Sequence, residues 1–207
     1  NIFGYNTAEY LKDMGTPTRL DRVTTDYLSG RIERTSYRYK RACIYLDRDG
    51  VLNEDTDLIS RHEDLNLFEF VPAAVKRINQ SEYLSVVITN QSVVARNLCT
   101  YDDVKVIHNK MEALLGEAGA YLNDIYFCPH HPDGGFPGEN ALYKVNCSCR
   151  KPKPGMLLAA AEKFNIDLKE SWVVGDSDRD IKAGKAAGCR TIAVRTGRST
   201  HTSKVNP

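Results

Sequence analysis

The stretch Ile44-Tyr45-Leu46-Asp47-Arg48-Asp49-Gly50-Val51-Leu52 constrains this chain more than any other. An apolar run with strand character stops at Asp-x-Asp-Gly, so the first carboxylate stands where a buried strand emerges. Residues two apart on an extended chain point to the same side, which puts Asp49 beside Asp47. Two acids held that close do not both ionise readily, so their pKa values should separate. One carboxylate can then attack while the other carries a proton. Against a phosphate, an anionic nucleophile also needs a Mg²⁺ ion. The same residues would equally suit a plain turn, with Asp and Gly chosen for loop geometry.

The rest of the chain bears on that choice. Its 207 residues suffice for one good core, or for one domain with an appendage. Lys and Arg number 28 against 27 Asp and Glu, a balance that argues against nucleic acid or an anionic membrane as the partner. No apolar run is long enough to cross a bilayer. No signal peptide is visible, and the sequence opens on Asn1. Of the six cysteines, three cluster with a histidine, which points to metal binding in a reducing, cytoplasmic compartment.

After residue 40 the pattern alternates. Strands are predicted over 42–46, 84–89, 124–127, 172–175 and 190–194. Helices are predicted over 72–80, 100–119, 154–165 and 178–187, with Thr100 as an N-cap and Gly116 or Gly119 near that helix's end. Such alternation implies a mostly parallel sheet covered on both faces, an α/β fold of three layers. Ligands in such sheets bind at the carboxyl ends of the strands, and Asp47, Thr89 and Asp176 each close a predicted strand. Residues 1–40 differ. Thr16-Pro17 opens a helix to residue 28 with Gly30 as its stop, and the basic run 31–41 reads as a solvated linker.

Four further constellations carry chemistry. Thr89-Asn90 at a strand end can donate to phosphate oxygens, although Thr-Asn also simply ends strands. In Cys149-Arg150-Lys151-Pro152-Lys153-Pro154-Gly155 a lysine set among prolines can neutralise a phosphate, or the loop can be merely basic. Gly175-Asp176-Ser177-Asp178-Arg179-Asp180 suits a hard cation through Asp176, with Asp178 read as the cap of the next helix and Asp180 as a dipole or supporting residue. Cys128, His130, Cys147 and Cys149 make a closed tetrahedral Zn²⁺ set, with His131 as the alternative imidazole. Four protein ligands leave no open position, so that zinc would be structural.

In this order the motifs resemble the haloacid dehalogenase superfamily of phosphatases over roughly residues 41–198. The resemblance implies a Rossmann-like sheet with a minimal cap and a zinc-binding loop, the open edge being roofed by that loop and by residues 53–66. It implies Asp47 as the nucleophile that becomes an aspartyl phosphate and Asp49 as general acid and base, its backbone carbonyl also on Mg²⁺. Thr89 and Lys151 would hold the transferring phosphoryl group, and Asp176 would complete the Mg²⁺ site.

Cys-Pro-His-His-Pro followed by Cys-x-Cys-Arg-Lys-Pro-x-Pro-Gly-Met resembles the D-glycero-D-manno-heptose 1,7-bisphosphate 7-phosphatase family, with histidinol-phosphate phosphatases as near relatives. This implies removal of the 7-phosphate in nucleotide-activated heptose synthesis, with Arg150 and Arg96 on the phosphate that is kept. The family follows Thr-Asn-Gln-Ser with Gly-Ile-Ala-Arg-Gly, whereas this chain has Val93-Val94-Ala95-Arg96-Asn97, which reduces backbone freedom near the substrate. Residues 5–20 resemble the C-terminal end of a sugar-phosphate nucleotidyltransferase, whose nucleotide loop the chain lacks. The expected domains are a transferase-like remnant and linker over 1–40, a phosphatase domain over 41–200 and a tail over 201–207. A guanylyl-type fused partner would make the α anomer the natural substrate. The competing functions are histidinol-phosphate phosphatase and a noncatalytic zinc-stabilised module.

Overall fold

The computed structural model describes residues 7–134 and 137–197. Five strands form one sheet: β1 (Cys43–Leu46), β2 (Leu84–Asn90), β3 (Asp124–Cys128), β4 (Trp172–Gly175) and β5 (Arg190–Ala193). Their order is β3-β2-β1-β4-β5, and every pairing is parallel. The helices are α1 (Pro17–Leu28), α2 (Arg31–Arg34), α3 (Val71–Gln80), α4 (Tyr101–Glu117), α5 (Gly155–Phe164) and α6 (Asp178–Ala187). The sheet is the parallel α/β arrangement that the alternating pattern predicts.

Period-two alternation divides the core. Cys43 and Tyr45 of β1, with Val86 and Ile88 of β2, face Leu157 and Phe164 of α5 and Ala183 of α6. Leu46 and Val87 face the other way, onto Val75 of α3 and Ile107, Met111 and Leu115 of α4. Both faces of the central strands are therefore covered, which is why those strands read as apolar runs rather than as alternating ones. Each large aliphatic side chain buried this way contributes about 1.5–3 kcal/mol.

Local signals set the element ends. Thr100 and Asp103 form a reciprocal capping box at the start of α4, and Gly119 turns left-handed just past its end. At α6 the structure corrects the expected cap. Ser177 caps the helix with Asp180 in a capping box, while Asp178 is the first helical residue and pairs with Lys182 at 3.3 Å. A serine hydroxyl both accepts from and donates to the box, which a carboxylate one residue later cannot do.

The basic run 31–41 is more ordered than a solvated linker. It contains α2, and its cations find acids: Arg31 with Asp26 and Arg34 with Glu82. Tyr37 accepts at its hydroxyl from the Ala8 N–H (3.0 Å) and at its carbonyl from Asn165 Nδ2 (2.8 Å), and Arg41 bridges to Ile166. The tail 201–207 lies outside the described residues. No helix among those described is long and apolar enough to cross a membrane.

Candidate active site

Strand β1 has β2 on one side and β4 on the other, so the chain changes winding direction there. Carboxyl ends at such a point open into a crevice. Asp47 follows β1, Asp176 follows β4, and Thr89 and Asn90 end β2; all four line one cavity of about 390 Å³, as do Asp49, Arg150 and Lys151. Every residue expected to touch phosphate or Mg²⁺ therefore reaches the same space.

Lys151 organises the floor. Its Nζ lies 2.9 Å from Asp47 Oδ1 and 2.5 Å from Asp180 Oδ1, and donates to the Ile88 carbonyl at 2.9 Å. Its backbone is clamped by Asn90, which donates through Nδ2 to the Lys151 carbonyl and accepts at Oδ1 from the Lys151 N–H. Burial works against the ammonium, but Asp180 and Asp47 outweigh it and hold the Lys151 pKa above its ordinary value. For Asp47 the balance goes the other way. Burial first, then the like charge of Asp180, push its carboxyl up to about 7.

Asp47, Asp176 and Asp180 bring carboxylate oxygens within 4.8 Å of one another, a donor set that fits a hard cation. Lys151 pairs with both Asp180 and Asp47, and Asp176 brings a further carboxylate to the same space. Gly50 keeps that space open. It adopts φ +81°, and a Cβ there would stand 2.7 Å from Asp176 Oδ2.

Asp49 turns to different partners. It accepts from Arg48 (2.8 Å), Asn53 Nδ2 (3.0 Å) and Gln91 Nε2 (2.8 Å). Burial raises its carboxyl, but the Arg48 guanidinium and the two amides outweigh burial and hold it below the usual range. The two acids do separate, with Asp47 the higher. Burial and Asp180 on one side, and Arg48 with the two amides on the other, do most of it, and the mutual proximity of the two acids adds least. Arg48 itself is fully buried and sits 3.4 Å from His108 Nε2 on α4. Sequence reading missed Arg48, Asn53, Gln91 and His108, and gave Asp180 too small a part. The signal available was the arginine between two aspartates, which must bury its charge once its neighbours open onto the cavity.

Cys128, His130, Cys147 and Cys149 form a second cluster. Sulfur–sulfur distances are 3.2–3.5 Å, and His130 Nδ1 lies 3.6 Å from Cys128 Sγ and 3.4 Å from Cys149 Sγ. Four ligands around one ion at about 2.3 Å would stand roughly 3.7 Å apart, so the set could hold a metal. His131 turns away and lines the cavity instead. Arg150, next in sequence to Cys149, donates to the His130 carbonyl at 2.9 Å, which ties the cluster to the cavity wall. Asp55, Asp57 and Leu58 from the loop after β1 also line the cavity. The missing glycines are absorbed: Asn97 takes the left-handed φ of 56°, which Asn bears better than most residues, and Val93 packs with Val94 and Val104.

A parallel sheet with Asp-x-Asp-Gly at its switch point, a buried lysine and a distal aspartate defines a haloacid dehalogenase-type hydrolase. A HAD-hydrolase-like family model matches residues 148–206. The D-glycero-beta-D-manno-heptose-1,7-bisphosphate 7-phosphatase of Rhodopseudomonas palustris is 40% identical over 149 residues, which are 72% of this chain and 81% of that protein. The D-glycero-D-manno-heptose-1,7-bisphosphate 7-phosphatase of Thermosynechococcus vestitus is 41% identical over 160 residues, 76% and 80% of the two chains. Among solved structures, the D,D-heptose 1,7-bisphosphate phosphatase of B. bronchiseptica, complexed with magnesium and phosphate, superposes with a TM-score of 0.68 at 36% identity, covering 78% of this chain and 84% of that one. The chain belongs to the D-glycero-D-manno-heptose 1,7-bisphosphate 7-phosphatase family of the haloacid dehalogenase superfamily, and is a phosphoric monoester hydrolase.

Proposed function

We propose that the chain removes the 7-phosphate of D-glycero-D-manno-heptose 1,7-bisphosphate and keeps the 1-phosphate. The observation that carries this reading is the placement of Asp47 between Lys151 and Asp176 at the floor of a cavity whose wall includes Arg150. Asp47 Oδ attacks the terminal phosphorus in line with the ester oxygen and becomes an aspartyl phosphate. Lys151 and Thr89 hold the equatorial oxygens. Approach of the phosphate dianion raises Asp49 against the pull of Arg48, so that it can bring the proton the departing sugar oxygen needs. Asp49, again a carboxylate, then takes a proton from the water that hydrolyses the aspartyl phosphate. Asp47, Asp176 and the Asp49 backbone carbonyl would hold Mg²⁺, whose positive charge keeps Asp47 ionised and shields it from the anionic phosphate.

Cys128, His130, Cys147 and Cys149 hold zinc in this reading, as a structural centre beneath Arg150. A four-ligand thiolate site, with all six cysteines free of disulfides, supports a reducing cytoplasmic location. The loop over residues 53–66 and the zinc loop take the place of a cap. Residues 1–40 are read as a transferase-like segment ahead of the phosphatase domain. The Rhodopseudomonas relative carries the β anomer in its name, so the test uses both anomers, and histidinol phosphate beside them. Phosphate release with phosphorus NMR of the product should show the 1-phosphate retained. Faster turnover of histidinol phosphate, or loss of the 1-phosphate, would overturn the proposal.

A further inference from the structure

Gln91 directly follows β2, and its N–H donates to the Cys128 carbonyl at the end of β3 (2.7 Å). That bond continues the β2–β3 pairing past Asn90, and residues two apart on an extended chain point to the same side. Gln91 therefore meets Thr89. Gln91 is buried and does not line the cavity, whereas Thr89 and Asp49 both do. Its Nε2 lies 2.8 Å from Thr89 Oγ1 and 2.8 Å from Asp49 Oδ2, and donates one hydrogen to each.

Chemistry fixes the polarity of these bonds. Asp49 is paired with Arg48 at 2.8 Å and, as a carboxylate, only accepts. The Gln91 atom that meets it must be the amide nitrogen, and that nitrogen has only its second hydrogen to offer Thr89. A hydroxyl that accepts from Gln91 keeps its own proton for another partner. Among the described residues Thr89 Oγ1 donates to none, and it borders the cavity. We infer that Gln91 is a positioning residue: by filling the accepting side of Thr89 Oγ1, it turns the hydroxyl proton toward the phosphoryl group that enters the cavity. This deepens the proposed function and rests on its placing of phosphate beside Thr89. Without the amide the hydroxyl would rotate freely, and part of its contact with phosphate would be lost.

The test is a double-mutant cycle of Gln91→Met and Thr89→Val, read as kcat/KM on heptose 1,7-bisphosphate and as the Kd of inorganic phosphate with magnesium present. Methionine fills similar space and removes both donors, while Asp49 keeps Arg48 and Asn53. Each single variant is expected to lose about tenfold in both readouts, as one hydrogen bond to an anion is lost or loosened. In the Thr89→Val background the loss from Gln91→Met should be about tenfold smaller, because the hydroxyl it aims is gone. Should Gln91→Met not fold, Gln91→Glu goes through the same cycle, its carboxylate drawing the Thr89 proton away from the cavity. Equal losses in both backgrounds, the mark of a merely structural role, would overturn the inference, as would a Thr89→Val protein that binds phosphate like wild type. A wild type inactive on the bisphosphate would overturn the proposed substrate, and the phosphate Kd cycle would still decide the role of Gln91.

Discussion

Lys151 Nζ lies 2.5 Å from Asp180 Oδ1, and solvent reaches almost nothing of either side chain. The same ammonium faces Asp47 at 2.9 Å. One cation thus balances two buried carboxylates, and neither acid has another positive side chain within ion-pair distance among the described residues. Replacing Lys151 by Met keeps the apolar stem and removes the charge. Breaking a buried pair from one side costs roughly 3–5 kcal/mol, because the remaining charge is left unpaired. Lys151→Met should therefore lower the urea midpoint of the metal-free protein strongly as well as abolish turnover. A midpoint equal to wild type would show that Asp47 and Asp180 are neutralised by other means.

Asp47→Asn should separate stability from activity. The amide fills the same space but cannot attack phosphorus, so turnover should fall by at least about a thousandfold. At pH 8 the wild-type carboxyl, pushed up to about 7 by burial and by Asp180, is held ionised against its environment. Its folded pKa lies above the unfolded one, so folding stability from this group is full at low pH and declines as pH rises through 7. Removing the charge should raise the stability of metal-free protein at pH 8 by about 1 kcal/mol or more, net of the lost contact to Lys151. Asp49→Asn should be comparably severe in turnover, since no group then protonates the leaving oxygen. Near-native activity in a verified Asp47→Asn protein would sink the covalent mechanism.

The sequence announced the sheet because its punctuation is dense. Strand β4 and helix α6 have the predicted limits, since Gly175, the Ser177–Asp180 box and Gly188 mark them closely. The residues around Asp47 were legible for a similar reason: each ends an apolar run where a charge would otherwise be buried. Arg48 and His108 were not, because their meaning arises from contact between α4 and the turn after β1, sixty residues apart in sequence. Gln91 and Asn53 look like ordinary loop residues until both are seen donating to Asp49.

Chelation should unfold the zinc loop before it touches the chemistry. Purified protein is expected to hold about one zinc per chain at the Cys128, His130, Cys147 and Cys149 set. Cys128 and Cys149 share a hydrogen bond that draws the Cys149 thiol down and pushes the Cys128 thiol up, so a cation is what would let both bind as thiolates. Cys147→Ser should lower Tm by on the order of 10 °C and release the metal, while kcat in surviving protein falls less than in Lys151→Met. Full zinc occupancy in Cys147→Ser would exclude that thiol as a ligand.

His108 should make the protein acid-sensitive. It is nearly inaccessible to solvent, its Nε2 lies 3.4 Å from the Arg48 guanidinium, and its ring meets Phe127 edge-on at 5.2 Å. Burial first, then the charge of Arg48, push its pKa down to about 3, with Asp49 pulling the other way. A neutral imidazole can accept from Arg48, whereas an imidazolium would be repelled by it. The unfolded chain binds a proton at this histidine below about pH 6.5, and the folded protein does not until about pH 3. Over that window the unfolded state carries more protons, so stability rises with pH and is lost on acidification by at most about 1.4 kcal/mol per pH unit from this group. His108→Gln keeps an acceptor for Arg48 and removes the titration. From pH 7 to pH 4.5 the urea midpoint of wild type should therefore fall relative to that of His108→Gln, so that any deficit of the variant at neutrality shrinks or reverses in acid. Parallel curves across that range would mean that His108 is protonated in the folded protein, and Arg48 would then need a different partner.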